Sequence, residues 1–351
     1  MQKTFLLAFV MFCIWDERDL KPAVRYAFIG LLLLTALGVV NYITKQSFWV
    51  MDVKVESLGR EVGANYMYAD RFRVQSMFVS AFDYGFTNTL FAVFFYYARI
   101  KELISRKRFL IAEACCLFGV YTCACRTVHV CYLLAIMVYA VGAYGLRRKW
   151  VVRGVVALVA LIVILPHVPA FREYMDLFQN ALSTDSNQLS SGGSSIGMRI
   201  LQLGTMFYYL MQGNVVFGNG KDYFLIDLGW QDRGMGGQAV DSDLFGLEGV
   251  YLGYMLERGI FGYVCYLIFY FTLFFSAFRI RRYDRHAFAF FAAAFCAYFF
   301  YANATGELGS VAPTMLMMGI GLKLLYVRSG KLVRDTDVKN LTNESNDDDG
   351  K

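Results

Sequence analysis

Hydrophobic and polar positions along this chain fall into long blocks rather than short alternations. Long, predominantly apolar runs occupy 26–43, 77–98 and 260–278. A run of about 20 apolar residues, coiled as an α-helix, matches the hydrocarbon thickness of a bilayer. The pattern predicts an all-α polytopic integral membrane protein. Further apolar blocks at 154–170, 287–302 and 311–327 extend that reading.

Charge sets the order of the spans. Four short segments are strongly basic: Arg99, Lys101, Arg106, Lys107 and Arg108; Arg147, Arg148, Lys149 and Arg153; Arg279, Arg281, Arg282 and Arg285; and Arg328, Lys331 and Arg334. Placing all four in the cytoplasm satisfies the positive-inside bias, so an even number of spans separates each consecutive pair. The stretch 109–146 is apolar apart from Glu113, Arg126 and His129. With both ends inside, it must be a hairpin. Its turn falls near "CACRTVH", which puts Arg126 at the tip, at or just below the outer interface.

Two segments then face outward, 44–76 and 171–247. The second is a large outer loop in which acids outnumber the few basic residues. Residues 3–15 are short for a span. They resemble the apolar region of a signal peptide, but Asp16 and Glu17 follow at once and no small-residue cleavage site is visible. The expectation is that the chain starts inside a span or that an upstream part is missing, for about nine spans in all. Residues 1–328 read as a single membrane domain. Residues 329–351, ending in "DVKNLTNESNDDDGK", read as a disordered cytoplasmic tail.

Composition agrees. The chain of 351 residues is 57% hydrophobic and only 18% charged, with mean hydropathy +0.43, values that soluble domains seldom reach. The net charge of +6 sits in short loops, so it reports topology rather than nucleic-acid binding. Of eight cysteines, Cys13, Cys115, Cys116, Cys131, Cys265 and Cys296 lie in apolar runs, and Cys123 and Cys125 lie at a span end. None has metal-ligand spacing. They read as small buried hydrophobes, and no metal or other cofactor is expected.

The stretch "IGMRILQLGTMFYYLMQGNVVFGNGKD", 196–222, carries a lysine after a glycine turn. It is not a phosphate loop. Val215 stands where the first glycine is required, and Asp222 follows Lys221 where serine or threonine is required. As a helix, 199–212 gathers Arg199, Gln202, Thr205, Tyr209 and Gln212 broadly on one side. That describes a helix lying in the membrane interface and ending at the turn 218–220. Arg199 in its first turn sits near free backbone N–H groups, where an anion would be stabilised; an arginine snorkelling to lipid phosphates is the plainer reading. The apolar stretch 244–278 is too long for one span and is interrupted by Glu257, Arg258 and Gly259. It reads as a short interfacial or re-entrant helix over about 244–257, a break, and a span.

Four of these segments together resemble the bacterial O-antigen ligase and polymerase superfamily, above all the Wzy-type polysaccharide polymerases. "CRTVHVCYLLAIMVYAV" is similar to the family's Ser-Arg-Thr start of a span, with Cys125 in place of serine. "SIGMRILQLGTMFYYLMQGNVVFGNG" is similar to the arginine, apolar helix and terminal G-x-G of its large outer loop. "EGVYLGYMLERGIFG" resembles the segment that follows that loop, and "YADRFRVQSMFVSAFDYG" resembles an arginine-bearing entry to an earlier span. The four cover roughly 70–265 in the family's order. Glu248 stands where ligases usually carry histidine, which favours polymerase over ligase.

The resemblance implies an enzyme at the outer face of the bacterial inner membrane. It would transfer a growing glycan from undecaprenyl pyrophosphate onto the next lipid-linked repeat unit, without nucleotide or metal. A chain-length regulator protein is a candidate partner. Fixed cations stabilise a pyrophosphate leaving group, and arginine binds phosphate oxygens in a fork. Arg126 and Arg199 are the leading candidates for that task. Arg71, Arg73 and Arg258 follow as substrate-binding residues from their expected depth in the membrane. The acceptor hydroxyl needs a base or an orienting acceptor; Glu248 is the candidate by position, with Asp241 and Asp243 as alternates. His129, three residues after Arg126, could face the same cavity. Two other readings stand beside this one. A ligase would move finished glycan to a lipid or protein acceptor. A lipid-linked oligosaccharide flippase or transporter would show midplane charges and paired broken helices.

Overall fold

The computed structural model describes residues 20–46, 71–78, 80–145, 195–220, 249–305 and 310–348. It also describes strand residues 53–55, 60–62 and 67–68, together with Leu7, Val10 and Cys13. Helix α1 spans Leu20–Thr44, α2 Ala81–Ile100, α3 Arg106–Thr122 and α4 Arg126–Tyr144. Helix α5 spans Ser195–Gln212, α6 Val250–Arg279, α7 Arg285–Thr305 and α8 Val311–Asp348. Five of these are long and apolar enough to cross a membrane: α1, α4, α6, α7 and the part Val311–Gly330 of α8. The protein is a helical membrane protein. The expected span at 154–170 lies outside the described residues.

Helices α2 and α7 form the centre. The apolar window of α7 is 78% buried by the rest of the chain, against 17% for α6 and 22% for α1. Small residues explain how α7 sits so deep. Ala287, Ala289, Ala293, Ala294 and Ala297 are fully buried, and a Cβ on Gly142 of α4 would meet the Cα of Ala289 at 3.1 Å. Without a hydrophobic drive between helices in lipid, such close backbone approach supplies the packing energy. Aromatic rings fill the remaining space: Phe290 stacks on Tyr97 at 5.4 Å between centroids, and Phe86 stacks on Tyr301 at 4.3 Å. Leu7 and Val10 lie against Gly319 of α8.

One ion pair ties the basic end of the bundle together. Lys101, just past α2, bonds Asp284 at 2.5 Å. The other carboxylate oxygen of Asp284 accepts from the amides of His286 and Ala287, both at 3.0 Å. Asp284 thus caps α7, satisfying amides that have no partner within the helix.

The hairpin expected over 109–146 is present as α3, a turn at 123–125 and α4. Ala124 takes a left-handed conformation there, with φ of 49°. Arg126 is the first residue of the second arm rather than the middle of the turn. The segment 44–76, expected to face outward and assigned no element by the apolar pattern, contains two antiparallel ribbons. Strand β1 (Val53–Val55) pairs with β2 (Arg60–Val62), and β3 (Met67–Tyr68) with β4 (Arg71–Phe72). Helix α8 continues to Asp348, past residue 329 where composition predicted an unfolded tail. No glycine or proline interrupts it over 331–348.

Candidate functional site

The turn of the hairpin is built against the entry to α2. The amide of Val74 donates to the carbonyl of Thr122 at 3.1 Å. A Cβ on Gly85 would overlap the Cys123 sulfur, so glycine alone lets α2 approach the turn this closely. Cys123 and Cys125 are buried there, and burial pushes the Cys123 thiol well above its ordinary range. These two cysteines act as packing residues in the turn.

Charged groups collect at this end. Arg73 is buried, with its guanidinium carbon 5.3 Å from the centre of the Phe82 ring. Arg126 opens α4 with Cys125 as its cap residue, and the Cys125 side chain makes no capping bond. His129 lies one turn further along, half-buried, its amide bonded to the Cys125 carbonyl at 3.2 Å. Asp83 sits in the first turn of α2, 5% exposed, where the free amides and helix dipole favour an anion. Its Oδ1 accepts from the Tyr301 hydroxyl at 3.4 Å. Asp83 was not among the expected site residues. The signal was there: it is the single acid in the apolar run 77–98, and acids within spans are functional candidates by default.

The second part of the site is a broken helix held open by a glycine turn. Gly259 inside α6 has φ 67° and ψ −173°, which divides the helix. The expected break at 257–259 is therefore real, and so is the expected helix before it, from Val250. The turn that follows α5 inserts into the gap. Amides of Asn219 and Gly220 donate to the carbonyls of Leu256 and Glu257 at 2.9 and 3.0 Å. Amides of Ile260 and Phe261 donate to the carbonyls of Val215 and Val216 at 3.0 and 3.1 Å. Orphaned backbone groups on both sides of the break are thereby satisfied, as irregular backbone at membrane depth requires. Only glycine fits at two positions. A Cβ on Gly259 would overlap the Val216 carbonyl, and one on Gly218 would overlap the amides of Arg258 and Gly259. The side chain of Asn214 closes the turn, accepting from Val216 and Phe217 at 3.1 and 3.0 Å.

Helix α5 packs its inner face on the first half of α6. Met206 and Leu210 meet Leu252 and Leu256 in a small cluster separate from the main core. The outer face shows Leu203, Phe207 and Met211. The helix thus has one face on protein and one apolar face free for lipid, as an interfacial helix requires. Arg258 is exposed at the break and lies 4.8 Å over the Tyr254 ring.

The structure brings Arg73, Arg126 and His129 to one end of the bundle and places Arg258 at the break in α6. Arg71 and Arg199 belong to β4 and α5 by backbone, and their side chains lie outside the described residues. Glu248, Asp241 and Asp243 also lie outside them. Glu113, the acid on the first arm of the hairpin, has a buried Oε1. That atom accepts no hydrogen bond among the described residues, and Glu113 lines a cavity with Tyr96, Phe109 and Tyr139 toward the basic end of the hairpin. No group of three His, Cys, Asp or Glu among the described residues is placed to hold a metal ion. Chemically, the Arg73–Arg126 end offers fixed positive charge beside a buried carboxylate, which suits an anionic group arriving from the membrane. Comparison with known proteins finds no matching family, no matching characterised protein and no matching solved structure.

Proposed function

We propose that this protein is a polysaccharide polymerase of the bacterial inner membrane. It joins undecaprenyl-pyrophosphate-linked oligosaccharide repeats at the outer face, towards O-antigen, capsular or exopolysaccharide. The observation that carries this reading is the meeting, in two pairs, of the four segments that resemble the Wzy-type family. The entry to α2 bonds the hairpin turn through Val74 and Thr122, and the loop-helix turn interlocks with the break in α6. Segments far apart in sequence come together within each pair.

In the reaction, an acceptor hydroxyl attacks the anomeric carbon of the donor glycan. A new glycosidic bond forms, the bond to pyrophosphate breaks, and the pyrophosphate leaves with the electron pair. Arg126 and Arg73, with Arg199 from α5, stabilise the charge growing on it. The hydroxyl proton passes to a base, for which Glu248 is the candidate by position, or to Asp241 or Asp243. Reconstitution with a lipid-linked repeat in the presence of a chelator tests this. A ladder of products is expected; a single unextended repeat overturns it.

A specific observation favours a second reading as a lipid-linked oligosaccharide transporter. Glu113 places a carboxyl with an unbonded oxygen in α3, the first arm of the hairpin, and an ionisable group on a helix packed among spans suits a transport pathway. Glu113→Gln separates the two: the product ladder stays unchanged for a polymerase, whereas transport of the lipid-linked repeat is lost for a transporter.

A further inference from the structure

A separate cavity, lined by cations, lies at the basic end of the bundle, away from the hairpin turn. It has a volume of about 790 Å3 and is formed between the start of α1 and the turn that joins α2 to α3. Lys21 and Arg25 reach it from α1, and Arg108 from the first turn of α3. Val24, Phe28 and Ile104 give it an apolar floor, and no acidic side chain lines it among the described residues.

Among the described residues the charge arrangement is unfavourable as it stands. The first turn of α1 contains no acid, and neither does that of α3, which instead holds Arg106, Lys107 and Arg108. Helix N-termini carry partial positive charge, so cations there are destabilising. Two such termini and three cationic side chains converge on one cavity. A bound anion reverses the sign of every one of these interactions.

The anion's attachment is also visible. Tyr26, Ile29, Leu33, Leu37 and Val40 are exposed at steps of three and four along α1, so they form one stripe. The stripe begins at the cavity, which Tyr26 and Ile29 themselves line. A free phosphate would use the cations and ignore the stripe. A phospholipid uses both, its headgroup in the cavity and an acyl chain along the stripe. We propose that this cavity binds the phosphate headgroup of an anionic phospholipid from the leaflet on the basic side of the protein. The inference is independent of the polymerase reading.

The test uses the full chain, purified in detergent, with phosphatidylglycerol, phosphatidylcholine and inorganic phosphate as separate probes. Retained lipid is read by native mass spectrometry and the melting temperature in parallel. Phosphatidylglycerol should bind saturably and raise the melting temperature, while the other two do neither. Each of Lys21→Gln, Arg25→Gln and Arg108→Gln should weaken retention about fivefold, and the triple variant on the order of a hundredfold, at the usual worth of a basic residue near anionic lipid. All three side chains are exposed, which favours normal folding of the variants. If the triple variant does not fold, the single variants and the salt dependence of wild-type retention decide. Retention unchanged in the variants or at high salt overturns the proposal. Equal retention of phosphatidylcholine overturns it too. Stabilisation by inorganic phosphate equal to that by the lipid would make the ligand a free anion and likewise overturn it.

Discussion

The rings of Tyr254 and Tyr266 lie 4.9 Å apart, on opposite sides of Gly259 in one helix. In a straight helix their Cα atoms would stand about 18 Å apart at 1.5 Å per residue. The break therefore folds the two halves of α6 toward each other. Asn303 of α7 sits in the fold: its Oδ1 accepts from the Tyr263 hydroxyl at 3.3 Å, and its backbone carbonyl lies against Gly249. The loop helix, the break and the central helix are thus one connected unit.

The fold of α6 depends on Gly259, whereas Gly253 is an ordinary helical glycine with open space around it. Gly259→Ala adds left-handed strain and a clash with the Val216 carbonyl. It should cost at least about 1–3 kcal/mol from strain alone. Gly253→Ala should instead stabilise, by up to about 1 kcal/mol from helix propensity. Melting temperatures in detergent should fall for the first and hold or rise for the second. Similar values for both would remove the interlocked turn from the account.

Much of this architecture was legible in the sequence because bilayer thickness and loop charge are strong constraints. The apolar block 26–43 became α1, the hairpin followed from parity of the basic segments, and the break followed from Glu257, Arg258 and Gly259 interrupting an overlong run. What the turn 213–220 does was not legible. Its glycines read as a helix stop, and nothing local shows that the amides of Asn219 and Gly220 bond the carbonyls of Leu256 and Glu257, far along the chain. Asp83 escaped for a similar reason. Its significance lies in burial against Tyr301, which is far along the chain and adjacent only after folding.

Arg126 should matter for product formation more than for stability. If it stabilises the leaving pyrophosphate, Arg126→Ala should reduce polymer synthesis by about 10²–10³-fold, the usual loss on removing one such group. Arg126→Lys should recover part of it, since charge remains but the forked geometry is lost. Chain length on the lipid carrier is the readout. Wild-type chain length in Arg126→Ala would exclude the residue from the site.

The Asp83 and Tyr301 contact makes a separate prediction about stability. Tyr301→Phe deprives a buried carboxylate oxygen of a donor, at a cost of about 1–3 kcal/mol. Asp83→Asn keeps an acceptor oxygen in place and should cost less than Asp83→Leu, which removes both acceptor and charge. Thermal melting of the three variants gives the order. Equal losses for Asn and Leu would show that charge rather than hydrogen bonding carries the effect.

Cysteine accessibility tests the packing and the topology together. Cys265 is exposed on α6, whereas Cys116, Cys123, Cys125 and Cys131 are buried between helices. Cys131 is held further by its sulfur, which bonds the Ala297 carbonyl at 3.6 Å. An apolar maleimide that partitions into the bilayer should label Cys265 in the folded protein and leave those four untouched, and SDS should release all of them. For topology, single cysteines in a background lacking the native eight report the side of the membrane. Introduced at 102 and 282, they should resist a membrane-impermeant maleimide in intact cells, because both positions lie in basic loops placed inside. One introduced at 190, in the segment expected to face outward, should react. Labelling at 102 or 282 with protection at 190 would invert the topology. It would move Arg73 and Arg126 to the cytoplasmic face and remove the basis for a polymerase working outside.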